Sequence, residues 1–120
     1  MQYKEFSLLS AACPSRNVLE GISDKWSILV ITLLLNKAYR FGELKRTIGG
    51  ISPKMLTQTL QKLEKYGLIN RQSFPVLPLK VEYTLTPLGQ ELCTILNTLT
   101  TWTEKNMPSI IAAEKTFLER

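Results

Sequence analysis

A mainly α fold carrying one small β-hairpin is predicted from three observations. Two short amphipathic segments between Phe41 and Gly67 are joined by a glycine pair. Two strand-like runs, Leu68–Phe74 and Lys80–Leu85, flank a segment punctuated by Pro75 and Pro78. Apolar residues at helical spacing fill the stretches before and after.

The first helix is expected after Cys13, because Pro14 suits a first helical turn and the run to Glu20 is compatible with a short helix. Cys13 then occupies the capping position, where the positive helix end and nearby Arg16 favour the thiolate. The alternative is an inert half-buried thiol, the state of most cytosolic cysteines. A central buried helix follows, started by Ser23 or Asp24 and anchored by Trp26. Its apolar run, Ile28–Leu35, is interrupted by Thr32 and far shorter than the roughly 20 residues of a membrane helix.

In the next segment Phe41, Leu44 and Ile48 recur at i, i+3 and i+7, leaving Glu43, Lys45, Arg46 and Thr47 outside. Gly49-Gly50 ends it, since glycine tolerates the left-handed backbone of a tight reversal. Ser52 is placed to cap the following helix and Pro53 to occupy its first turn. This second helix buries Leu56, Leu60 and Leu63 and turns Lys54, Gln58 and Gln61 outward, with Thr57 on the flank. Such a pair is a helix-turn-helix, and amides and hydroxyls flanked by lysines are what a major-groove reader requires. A solvated surface helix has the same composition, so this face alone does not decide between the two.

Charge placement shifts the balance toward nucleic acid. The chain of 120 residues has a net charge of +5 and no histidine. Residues 1–36 are neutral overall, 37–80 carry +7 and 81–120 carry −2. The basic surplus surrounds the helix-turn-helix, the electrostatic footprint of a phosphate-binding surface. A membrane-binding helix would need these charges along one long amphipathic element. The duplex-facing set is therefore expected to be Arg40, Lys45 and Arg46, then Ser52, Lys54, Thr57, Gln58, Gln61 and Lys62, then Arg71 and Lys80 of the hairpin.

In Lys80–Leu85, Val81, Tyr83 and Leu85 alternate with Lys80, Glu82 and Thr84 as in a half-buried strand. A hairpin after a recognition helix is a wing, with Arg71, Gln72 and Lys80 in reach of phosphate or an adjacent minor groove. Val76, Leu77 and Leu79 at its tip are unusually apolar for a DNA-facing loop, and packing back on the domain is one use for them. Thr86-Pro87 opens a long helix expected to run to about Asn106, with a heptad seam of Leu88, Leu92, Ile95, Leu99 and Trp102. Asn106-Met-Pro108 is expected to break it before a shorter amphipathic helix containing Ile110, Ile111, Phe117 and Leu118. So much terminal apolar helix suggests dimerisation, against the alternative that the seam covers the monomer's own core.

The length and 44% hydrophobic content suit one globular domain over 1–120, with 1–22 and 86–120 contributing dimerisation helices. The first ten residues lack a signal-peptide core, so a cytoplasmic protein is expected. No cofactor, metal site or enzyme activity is expected: histidine is absent, no glycine-rich phosphate loop appears, and two cysteines 80 residues apart do not make a metal site. Cys93, beside the seam, reads as a small core residue.

Several ordered motifs carry a family resemblance. Cys13-Pro14, Asp24-Lys25-Trp26, RFGEL at 40–44, GISPKML at 50–56, LEKYGLI at 63–69 and VEYTLTPLG at 81–89 together resemble the HxlR-type winged helix-turn-helix regulators of bacteria. The match spans about residues 13–102. It implies a homodimeric transcription factor whose terminal helices form the dimer interface and whose recognition helices read a near-palindromic operator. In several members a cysteine at the place of Cys13 senses electrophiles or oxidants such as quinones, aldehydes or hypochlorite. In others it has no known sensing role, so both options carry over to Cys13, the first with a small electrophile or oxidant as inducer. The second cysteine that some sensing members use for an intersubunit disulfide varies in position, which leaves its assignment to Cys93 open. The other classes weighed are a winged-helix protein-protein interaction module without operator binding, disfavoured by the basic middle segment, and a small thiol enzyme, disfavoured by the missing histidine and Cys-x-x-Cys.

Overall fold

The computed structural model describes residues 6–120. Its elements run α1 (Pro14–Ile22), α2 (Lys25–Leu34), α3 (Phe41–Thr47), α4 (Pro53–Lys65), β1 (Ile69–Phe74), β2 (Lys80–Leu85) and α5 (Pro87–Leu118). The part of the expected N-terminal dimerisation segment before residue 6 lies outside the described residues. The fold class is the expected one: mainly α, with an antiparallel β1–β2 hairpin in the register Ile69↔Leu85 to Phe74↔Lys80.

Helix α2 is the hub, packed against α1, α4, α5 and β2. It supplies buried Val30, Ile31 and Leu34, on which lie Leu56, Leu60 and Leu63 of α4 and Cys93 and Leu96 of α5. Asp24 is its N-cap, accepting the Ser27 amide at 3.0 Å. Leu44, Ile48 and Ile51 are buried and Phe41 packs on the cluster, so the predicted apolar face of α3 is the real one. Helix α3 ends at Thr47 and Ile48 is already extended, while Gly50 (φ 83°) takes the left-handed turn into α4.

The exit from α4 is equally specific. Gly67 has φ 73°, and the amides of Leu68 and Gly67 donate to the carbonyls of Leu63 and Glu64, both at 3.0 Å. This double closure of a helix end needs a residue with no Cβ penalty. It delivers Leu68 and Ile69 into the core and starts β1. Thr86 then caps α5 through the Gly89 amide and donates to the Gly67 carbonyl at 2.6 Å, tying the start of α5 to the end of α4. A Cβ on Gly89 would fall on the Leu68 carbonyl oxygen, so glycine is required there by close backbone approach.

Two features depart from expectation. Helix α5 continues through Pro108 as one element of 32 residues instead of breaking near Asn106. A proline forfeits one i→i−4 hydrogen bond at a cost of about 3 kcal/mol. The helix nevertheless continues to Leu118, and Asn106 Nδ2 donates to the Trp102 carbonyl at 2.7 Å just before the proline. The second departure is a bridge between Tyr39 and Tyr83, with paired backbone hydrogen bonds of 3.1 and 2.8 Å, which pins the α2–α3 connection to β2.

Candidate nucleic-acid interface

Helix α4 divides its sides sharply. Leu56, Thr59, Leu60 and Leu63 are buried, whereas Lys54, Thr57, Gln58 and Gln61 are exposed together on the outer face. Ser52 caps the helix by accepting the Met55 amide at 3.0 Å, which leaves its hydroxyl proton for another acceptor. Free amides at this N-terminus favour an approaching anion.

Between α4 and the hairpin runs a groove of about 290 Å³ lined by Phe41, Thr57, Gln61, Glu64, Arg71 and Tyr83. It brings Arg71 of β1 beside the outer face of α4, two elements the sequence could only list separately. The first arm of the hairpin is more open than an alternating strand: Asn70, Arg71, Gln72 and Ser73 are all exposed. Four consecutive hydrogen-bonding side chains in this strand were the signal for that openness, and Asn70 was missed.

The described residues contain three ion pairs, Lys37–Glu43 at 3.1 Å, Lys62–Asp24 at 2.7 Å and Lys80–Glu82 at 3.7 Å. Arg40, Lys45, Arg46, Lys54 and Arg71 stand outside them, with Arg40, Arg46, Lys54 and Arg71 exposed and Lys45 half-buried. Two of the expected duplex-facing cations are thus otherwise engaged. Lys62 turns inward to α2, and Lys80 lies over the Phe74 ring at 4.9 Å while pairing with Glu82. Glu43 is used locally, accepting the Arg40 amide at 3.0 Å and the Lys37 ammonium, which together hold its carboxyl below the usual range. Asp24 is pushed up by burial, but Lys62 and the Ser27 amide and hydroxyl outweigh this and leave it below the ordinary carboxylate value.

The apolar residues of the wing tip do not pack back on the domain: Leu77 is 99% exposed, and Val76 and Leu79 project as well. The seam of α5 is also uncovered, with Leu88, Ile95, Leu99 and Trp102 between 49% and 66% exposed. Only Leu92 of the seam packs on the core, and the monomer's interior is served instead by Gly89, Cys93 and Leu96. Leu88, Leu92 and Ile95 meet Val18 and Ile22 of α1 across a groove of about 300 Å³.

Cys13 is the N-cap residue of α1, half-buried, with Sγ 3.0 Å from Ser15 Oγ. Hydrogen bonding from Ser15 lowers its pKa most, and the Arg16 charge contributes least. Arg16 is occupied by the carbonyls of Leu8 and Leu9 at 2.9 Å, so the expected charge effect yields first place to a hydroxyl. Cys93 is buried, its thiol pushed up by burial and directed at the Ile31 carbonyl at 3.6 Å.

A three-helix core with a helix-turn-helix in α3–α4 and a two-stranded hairpin after it defines a winged helix-turn-helix protein. The model of the HxlR-like helix-turn-helix family matches residues 21–110. The chain belongs to that family and is a transcriptional regulator of the helix-turn-helix type. It is 44% identical over 111 residues to YtfH of Escherichia coli K12, an HTH-type transcriptional regulator, covering 92% of this chain and 88% of that one. The structure of the transcriptional regulator YtfH from Salmonella typhimurium superposes with a TM-score of 0.88 at 42% identity, over 92% of this chain and 99% of that one. The redox regulator HypR in its reduced form superposes with a TM-score of 0.75 at 31% identity, over 82% and 98%. Among the described residues no helix is long and apolar enough to cross a membrane, and no cluster of three or more potential ligands could hold a metal ion.

Proposed function

We propose that the protein is a cytoplasmic homodimer that binds a near-palindromic double-stranded operator, each α4 entering a major groove and each hairpin lying against the adjacent backbone. The observation that carries this reading is the shared exposed surface of Lys54, Thr57, Gln58, Gln61 and Arg71, which offers hydrogen bonds and positive charge inside the +7 segment. Gln pairs bidentately with adenine, and Lys or Arg with guanine or phosphate. Ser52, Arg40, Lys45 and Arg46 supply further backbone contacts around it. Relatives that are regulators, not enzymes, agree with a role that needs no catalytic site.

Dimerisation is supported by the exposed seam of α5 and by its continuity with α1 across the groove at Val18 and Ile22. Such a seam is satisfied by a second copy, and two recognition helices one helical turn apart then read two half-sites. The lowered pKa of Cys13 and the existence of a redox regulator among the structural neighbours support a thiol switch on the same dimer, with an electrophile or oxidant as inducer.

The test is salt dependence. A dimer that neutralises about six to ten phosphates should lose affinity with a log–log slope of about −5 to −9. A flat dependence would remove the DNA-binding reading.

A further inference from the structure

The apolar wing tip has no part in the fold and none in the charge-based contacts just described. Residues 75–79, Pro-Val-Leu-Pro-Leu, carry no charge, and Val76, Leu77 and Leu79 are 51%, 99% and 70% exposed. The loop is also poor in donors. Pro75 and Pro78 have no amide hydrogen, and the Val76 amide is taken by the Phe74 carbonyl at 2.8 Å. A loop built this way has little to offer a phosphate, and what it presents is hydrocarbon. An apolar patch held out in solvent marks a contact surface.

What surrounds the tip selects the partner. The first arm leading to it exposes Asn70, Arg71, Gln72 and Ser73, and Arg71 shares its groove with Thr57 and Gln61, while on the second arm Glu82 is paired with Lys80. An apolar tip on a hydrogen-bonding arm that carries Arg71 complements a polyanion whose charged strands flank a less polar floor. From Arg71 to Phe74 the strand advances about 10 Å, and the loop extends further, which is on the order of the half turn, about 17 Å, from a major groove to the next minor groove. The minor groove is about 6 Å wide and admits the side chains of one loop but not a hairpin body.

We infer that Val76, Leu77 and Leu79 form an apolar wedge that enters the operator's minor groove beside each recognition helix, packing on deoxyribose walls and prising at a base step. This rests on the operator-binding reading. Side chains used as wedges by minor-groove proteins are of this apolar kind, and they exploit steps that unstack easily. The wedge adds a contact that is blind to phosphate charge and sensitive to the groove floor, where guanine projects its N2 amino group and adenine does not.

The experiment uses a duplex enriched from a random-sequence library by the unmodified full-length protein, titrated by fluorescence anisotropy at several salt concentrations. Leu77→Ser should lower affinity about 5- to 30-fold at every salt, with an unchanged log–log slope, because a buried hydrocarbon contact releases no counterion. Arg71→Ala should instead flatten the slope by about 0.9. Since Leu77 touches solvent only, its replacement should leave the unfolding midpoint in place. In the duplex flanking the recognition-helix contacts, changing A·T pairs to G·C should weaken the unmodified protein, and replacing those guanines by inosine, which lacks the N2 amine, should restore it. The Leu77→Ser variant should be indifferent to both changes. Unchanged affinity of Leu77→Ser, with a normal salt slope in the unmodified protein, would overturn the wedge alone and leave the tip as a protein-docking surface. Retention of no duplex by the unmodified protein would overturn both readings.

Discussion

The Lys62 ammonium donates to Asp24 Oδ2 at 2.7 Å, linking the flank of α4 to the residue that caps α2. Asp24 thereby serves two helices at once: it accepts the Ser27 amide at the start of α2 and holds α4 against it. Buried Ser27 completes the junction, its hydroxyl 2.8 Å from Asp24 Oδ2 and 3.1 Å from the Gly21 carbonyl. Lys62 lies one helical turn beyond Gln58, so this junction ties down the flank of α4 next to its exposed face.

Asp24→Ala removes a cap and should destabilise the fold by about 1–2 kcal/mol, whereas Lys62→Met, breaking a half-exposed pair, should cost no more than about 1 kcal/mol. The pH dependence has a definite sign. Because the folded carboxyl is held below its unfolded value of about 3.9, its stabilisation is complete above that value and is lost as pH falls through the lower folded pKa. Urea unfolding of the parent at pH 7 and pH 3 should show this loss, and Asp24→Asn should be less pH-dependent over the same window.

Base reading by α4 predicts a contrast between duplexes. Gln58→Ala and Lys54→Ala should weaken binding to the selected operator by about 1–3 kcal/mol each and binding to random duplex by less. Competition titrations measure the contrast. Equal losses on both would make these residues phosphate contacts.

Assembly follows from the uncovered seam. Leu99→Glu alters a side chain that is 49% exposed in the monomer, so it should leave the fold intact and abolish the dimer. Sedimentation at micromolar concentration should show a dimer for the parent and a monomer for the variant, which would hold only half-site DNA. A monomeric parent would refute the interface.

The two thiols should separate chemically. With its pKa lowered by Ser15, Cys13 should be alkylated faster at neutral pH than Cys93, which is buried and shifted the other way. Cys13→Ser should retain operator binding, since serine also caps helices, and should lose the response to diamide or a quinone. Peptide mapping after a short iodoacetamide pulse tests the first statement and anisotropy with reagent the second. A serine variant that responds as the parent does would reduce Cys13 to a structural residue.

Local signals settled much of this molecule in advance. The caps at Asp24, Ser52 and Thr86, the turn glycines at 50 and 67, and the apolar spacing of Phe41, Leu44 and Ile48 each act within a few residues, so the chain alone determined α2 to α4, the hairpin and the outward turn of Lys54, Gln58 and Gln61. Tertiary structure decided what depends on residues distant in sequence. Lys62 meets Asp24 across 38 positions, Tyr39 pairs with Tyr83 without any repeating pattern to announce it, and Arg71 reaches the flank of α4 only because the Gly67 turn sends β1 there. Likewise a heptad seam has the same spacing whether it faces its own core or solvent; packing on α2 through Cys93 and Leu96 turned Ile95, Leu99 and Trp102 outward. Periodicity records which residues share a helix face, whereas the partner of that face is chosen by the three-dimensional arrangement of every other element.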